Sequence, residues 1–172
     1  YDLALMPRVG LLVKVLRDQP GHILFESRDN AGELQVHRID VSNKAALKKF
    51  NFSGSASLNR GVKRDLRWYA DAQGRLRAAL AIDKEGERVL MHGLDGDFRE
   101  VLKFDEDNDF QPIALSADGS LIYGVTDKDR DQRDLVEFDP TVGKITRTIF
   151  SKRGVDIEGP LLDEAGKLIG AS

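Results

Sequence analysis

Gln111-Pro112-Ile113-Ala114-Leu115-Ser116-Ala117-Asp118-Gly119-Ser120-Leu121-Ile122-Tyr123-Gly124-Val125-Thr126 decides the fold. Two short apolar runs, Pro112–Leu115 and Leu121–Thr126, flank a Ser-Ala-Asp-Gly turn. Glycine supplies the positive φ of a tight hairpin, and Asp bonds back to its own backbone, so the stretch predicts two antiparallel strands. The same turn stands at Asp71-Ala72-Gln73-Gly74-Arg75-Leu76 and at Asp163-Glu164-Ala165-Gly166-Lys167-Leu168. Gly74, Gly119 and Gly166 thus recur at intervals of roughly 45 residues. A second turn runs out of phase, at Asp95-Gly96-Asp97-Phe98 and at Asp139 to Gly143-Lys144-Ile145. A third occupies Asp29 to Gly32-Glu33-Leu34 and Asp83 to Gly86-Glu87-Arg88. Three hairpin turns per repeat require four strands, and four antiparallel strands at this period describe the blade of a β-propeller.

The expected class is therefore all-β, a partial β-propeller of about three and a half four-stranded antiparallel blades. One blade is expected over 11–52, with strands Leu11–Leu16, His22–Ser27, Leu34–Asp40 and Leu47–Phe52. The next spans 66–104, with Leu66–Tyr69, Leu76–Ile82, Arg88–Gly93 and Phe98–Phe104. A third spans 112–150, with Pro112–Leu115, Leu121–Thr126, Leu135–Asp139 and Ile145–Phe150. A fourth, incomplete over 155–172, begins with Val155–Leu162 and Leu168–Ala171. Ser42–Phe50 is the one stretch that also reads as a helix, with Ser42 as its cap; alternation through Lys48-Lys49-Phe50-Asn51-Phe52 favours a strand. Closed rings take four to eight blades. Residues 1–172 are thus expected to form a single partial propeller domain, an arc of a larger ring whose open faces seek the missing blades or another copy.

The 172 residues are 41% hydrophobic and 32% charged, with 26 Lys plus Arg against 29 Asp plus Glu. A net charge of −3 supplies no general basic field, so neither nucleic acid nor a membrane is an expected partner. The locally basic set Lys48, Lys49, Arg60, Lys63 and Arg64 is too small to change that. Cysteine is absent, which removes disulfides, thiolate metal sites and a Cys nucleophile, and leaves cytoplasm and periplasm undistinguished. His22, His37 and His92 fall in expected strands without zinc spacing. The acidic runs Asp105–Asp109 and Asp127–Asp131 lack the Gly and Glu that a calcium loop needs at its sixth and twelfth positions. No metal and no cofactor is expected.

Beyond its architecture, Gln111 to Thr126 resembles a blade segment of prolyl oligopeptidase-like serine peptidases. The order of further segments is similar to the bacterial acylaminoacyl- and dipeptidyl-peptidase branch: Trp68-Tyr69-Ala70-Asp71 to Arg77, Asp127–Asp131 followed by Leu135–Asp139 and Gly143-Lys144, and Val155–Asp163. The resemblance covers roughly Leu11 to Ser172. It implies that the chain is part of an N-terminal propeller gating peptide access to an α/β-hydrolase domain that holds the Ser, Asp and His. No G-x-S-x-G elbow occurs in this sequence, with Gly54-Ser55-Ala56-Ser57 the nearest approach, so no catalytic residue is carried over and that domain is expected outside the chain. The implied partners are the missing blades, the hydrolase domain and peptides. A stand-alone propeller used for binding or scaffolding is the alternative. Innermost strands border a propeller's channel, so the expected substrate contacts are Arg67, Trp68, Tyr69, Gln111, Asp156 and Glu158.

Overall fold

A computed structural model describes residues 10–28, 32–43, 58, 62, 64–94, 97–104, 109–129 and 131–172. The first sheet contains β1 (Gly10–Leu16), β2 (His22–Arg28) and β3 (Leu34–Asp40). The second runs through β4 (Asp65–Ala70), β5 (Leu76–Ile82), β6 (Arg88–Leu94) and β7 (Asp97–Lys103). The third holds β8 (Gln111–Leu115), β9 (Ile122–Thr126), β10 (Asp134–Asp139) and β11 (Lys144–Phe150). The fourth has β12 (Pro160–Leu162) and β13 (Leu168–Ala171). All pairings are antiparallel between chain neighbours, and the fold is a partial β-propeller. The expected strand Leu47–Phe52, and all but the first two residues of the competing helix, lie outside the described residues.

One expected strand is much shorter than its sequence suggested. Val155–Leu162 shrinks to Pro160–Leu162, because the segment before it bonds elsewhere. Val155 forms an isolated bridge with Lys152, the Ile157 N–H donates to the Arg133 carbonyl at 3.0 Å, and the Glu158 N–H donates to Ser172 at 2.7 Å. Of the alternating apolar residues Val155, Ile157 and Leu161, Ile157 alone is buried, and alternation did not specify whose backbone would satisfy the segment's polar groups.

The hairpins form for the reason the repeat implies. Gly74, Gly119 and Gly166 have φ of 73°, 75° and 81°. Asp71 Oδ1 accepts the backbone N–H groups of Gln73 and Arg75 at 3.0 and 2.9 Å, and Asp163 Oδ1 does the same for Ala165 and Lys167 at 2.9 and 2.8 Å. In the middle turn Ser116 stands where Asp would, and its Oγ accepts the Leu121 N–H at 3.0 Å. Asp118 accepts from Ser116 Oγ, Ser120 N and Ser120 Oγ, and these bonds hold its carboxyl down at about 2. In every sheet the first and second strands pair through a bulge, whereas β2–β3, β5–β6 and β9–β10 pair without interruption. Bulges raise local twist, which a blade needs along its innermost strand.

The sheets stack face to face, and each seam is an apolar core. Leu16, Leu24 and Val36 of the first sheet meet Trp68, Leu76 and Ala79 of the second. Tyr69, Ala78 and Leu90 meet Phe110, Ile122 and Phe138 of the third. Val125 and Leu135 continue the series against Ile157 and Leu168. A strand with a sheet on either side is covered on both faces, so β9 is buried at every position and reads as an unbroken apolar run. Hairpin turns of different sheets also dock. Arg77 donates to the Asp118 carbonyl at 2.8 Å, the Ala72 N–H to Ala117 at 3.1 Å, and Arg17 reaches Glu164 across the first and fourth turns at 2.6 Å.

Candidate functional site

The seams bring β1, β4 and β8 side by side as the innermost strands. Two clefts open along them, and both are bordered by Arg67 and Tyr69. The first, about 380 Å³, lies between β1 and β4 with Ile113 of β8 at its far edge. The second, about 540 Å³, lies between β4 and β8 and is walled by Leu80, Phe104 and Phe110.

Four of the six expected contact residues gather here. Arg67 is exposed on β4, its guanidinium 5.3 Å from the centre of the Tyr69 ring. Tyr69 is buried and donates its hydroxyl to the Pro112 carbonyl at 2.8 Å, tying β4 to β8; burial pushes that phenol up to about 12, so it stays neutral. Gln111 is exposed on the rim of the larger cleft. Trp68 borders the smaller cleft but is only 2% exposed, its indole N–H bonded to Asp65 and its ring edge-on to Phe98 at 5.1 Å. Most of its surface serves the seam.

Asp156 and Glu158 border neither cleft. Asp156 accepts the Arg133 N–H at 2.8 Å, with the Arg133 guanidinium 3.7 Å away, and so anchors the approach to the fourth sheet. Glu158 is exposed. His22 and His92 turn ring nitrogens to the carbonyls of Pro20 (3.4 Å) and Gly119 (3.1 Å), and burial lowers the pKa of His92. Arg64 donates to the Asp83 carbonyl at 2.8 Å; Lys48, Lys49, Arg60 and Lys63 lie outside the described residues. Among the described residues no cluster of three or more His, Cys, Asp or Glu could hold a metal.

Two cleft residues escaped the sequence reading. Glu26 of β2 is 4% exposed beside the smaller cleft and takes the Trp68 backbone N–H, yet its Oε2 has no hydrogen-bond partner. Burial raises its pKa, against the pull of that N–H and of Arg67. Its signal was present: Leu24 and Glu26 alternate onto one face of β2, which puts a carboxylate in an apolar register. Arg88 of β6 reaches the larger cleft with its guanidinium 5.5 Å from the Phe104 ring centre. Nothing in its local sequence marks it, since β6 is not an innermost strand.

The arrangement offers a binding surface of cationic and amide donors over apolar walls. The same stack of twisted sheets relates the chain to known structures. A puromycin hydrolase variant solved in complex with PGG superposes with a TM-score of 0.50 and 19% identity, over 77% of this chain and 22% of that one. The β-propeller domain of the Trilobed protease from Pyrococcus furiosus, described as having an open velcro topology, gives 0.44 and 12%, over 77% and 40%. This chain therefore spans about a fifth of the first and two fifths of the second. No protein-family profile matches it, and no curated protein matches it.

Proposed function

We propose that the chain is a non-catalytic propeller segment of a prolyl oligopeptidase-like serine peptidase. Its inner strands contact peptides on their way to a hydrolase domain, and the ring excludes folded proteins by size. The observation that carries this reading is the row of innermost strands β1, β4 and β8, which exposes Arg67 and Gln111 along two clefts while the outer strand β11 lies almost wholly in solvent. Arg67, Tyr69 and Gln111 are the peptide contacts, with Trp68 as the packed floor beneath; Asp156 and Glu158 would act further along the ring. The fold shared with a puromycin hydrolase supports the peptidase context.

Further blades are the proposed partners of the open faces, and a second copy of the chain is the substitute when they are missing. Leu11, Leu12 and Val15 on β1 are 64%, 58% and 54% exposed, and Ile169 on β13 is 66% exposed, more apolar surface than a finished edge leaves bare.

The test reads the gene and the protein together. A reading frame that continues past Ser172 to a G-x-S-x-G elbow, with Asp and then His beyond it, is expected. In that parent enzyme R67A should weaken cleavage of a six-residue peptide while sparing a small ester substrate. A frame that stops after the last blade would favour the stand-alone binding module, and equal loss on both substrates would remove the gating role.

A further inference from the structure

We propose that the larger cleft, between the second and third sheets, is a carboxylate site, with Arg67 and Arg88 as its cations and Gln111 as its neutral donor. The inference rests on the peptide-binding reading above and names the group on the peptide that is recognised.

The two guanidiniums are held alike. Arg67 lies over Tyr69 and Arg88 over Phe104, and all four residues border the same cleft. A ring beneath a guanidinium fixes its plane and leaves the N–H edges free, the presentation a planar carboxylate accepts in pairs. Both arginines are exposed on their strands. Five other arginines, Arg17, Arg75, Arg77, Arg133 and Arg147, have carboxylates within 4 Å, and Arg28, Arg38 and Arg64 donate to oxygens of Gly32, Gln19 and Asp83. Among the described residues Arg67 and Arg88 have none that close, and Glu26 acts on Arg67 only through space.

The rest of the lining supports an anion with an apolar body. Among the described residues Asp109 is the one acid lining the cleft, and its oxygens are occupied by the Thr126 hydroxyl and by the Asp127 N–H at 2.6 Å. The Tyr69 phenol is committed to Pro112 and stays protonated, so it adds no negative charge. Pro112 has no N–H, so among the described lining residues the Gln111 amide and the two guanidiniums are the side-chain donors left for a ligand. Leu80, Phe104 and Phe110 give a wall that a bare phosphate would not use and a hydrophobic residue would. About 540 Å³ accommodates one or two residues. The carboxylate is either the C-terminus of a peptide or an Asp or Glu side chain.

Titration of the isotope-labelled chain, followed by amide NMR, separates these sources. The probes are N-acetyl-phenylalanine, its C-terminal amide, N-acetyl-glutamate amide and inorganic phosphate. N-acetyl-phenylalanine should bind at least tenfold more tightly than its amide, and R67A and R88A should each cost about tenfold. R88K should recover only part, because an ammonium lacks the fork. Tighter binding of N-acetyl-glutamate amide than of N-acetyl-phenylalanine amide would assign a side-chain carboxylate; binding of N-acetyl-phenylalanine alone would assign the C-terminus. Equal binding of acid and amide, binding indifferent to both substitutions, or binding of phosphate alone would overturn the proposal. If acid and amide bind equally through Arg67, the carboxylate site fails while peptide recognition stands. If the acids bind through both arginines and six-residue peptides do not, the site stands and the gating role fails. Both positions are exposed, so thermal unfolding of R67A and R88A should match the parent chain and exclude misfolding as the cause.

Discussion

The third and fourth sheets begin with the same chemistry and finish in different environments. Three residues after the turn glycine stands Ile122 in one and Ile169 in the other, each preceded by leucine. Ile122 is 0% exposed and Ile169 is 66% exposed. The second and fourth turns repeat the lesson with a charge. Asp71 and Asp163 make the same two backbone bonds, yet Asp71 is fully buried under Arg75 and Arg77, at 2.8 and 3.1 Å, while Asp163 stays exposed. Turn geometry is a local property of Asp and Gly. Burial is conferred by the neighbouring sheet, and a sheet with neighbours on both faces receives it twice.

Paired substitutions put this contrast to the sharpest test. I122A should cost about 4 kcal/mol by opening a cavity between the second and third sheets, whereas I169A should change stability by less than about 0.5 kcal/mol. Urea unfolding of the two variants measures the gap, and equal losses would erase the distinction between flanked and terminal sheets. D71A should follow at about 3 kcal/mol, because it strips two guanidiniums and two backbone donors of a buried partner. D163A removes only an exposed turn and should cost about 1 kcal/mol. A similar loss for both would mean that the shared turn, and not the arginine pair, carries the weight.

A smaller effect than that of D71A concerns another buried carboxylate, Glu26. Asp71 has both oxygens bonded; Glu26 has one bare. Burial raises the Glu26 pKa above its ordinary 4.5, so the folded chain holds the proton more tightly than the unfolded one. Its contribution is fully present below the unfolded value and is lost as pH rises through the folded one. E26Q should therefore stabilise the chain at pH 7 by about 1 kcal/mol. It should also flatten the decline in stability that sets in as pH climbs from 4.5. Unfolding midpoints of both proteins from pH 4 to pH 8 check the sign; a variant less stable at pH 7 would show that the Trp68 N–H needs the full carboxylate charge.

Much of the fold was legible because hairpins announce themselves within six residues. The turns at Gly74, Gly119 and Gly166 delimit the pairs β4–β5, β8–β9 and β12–β13. Val155–Ile157 misled because apolar alternation fixed neither the burial of Val155 nor the partner of the backbone. Within the clefts, Arg67, Tyr69 and Gln111 were accessible to reading, since innermost strands follow from strand order. Glu26 left a signal in its apolar register with Leu24, whereas Arg88 left none, because it reaches its cleft from a strand that is not innermost.

The turns, the antiparallel order of the strands and the number of sheets all follow from residues a few positions apart. Which equivalent side chains are buried, which arginines find carboxylates and which are left over a ring facing a cleft depends on how the sheets stack. The physical reason is range: φ preference and side-chain-to-backbone bonds act within one turn, whereas desolvation and ion pairing depend on the sheet that stacks alongside.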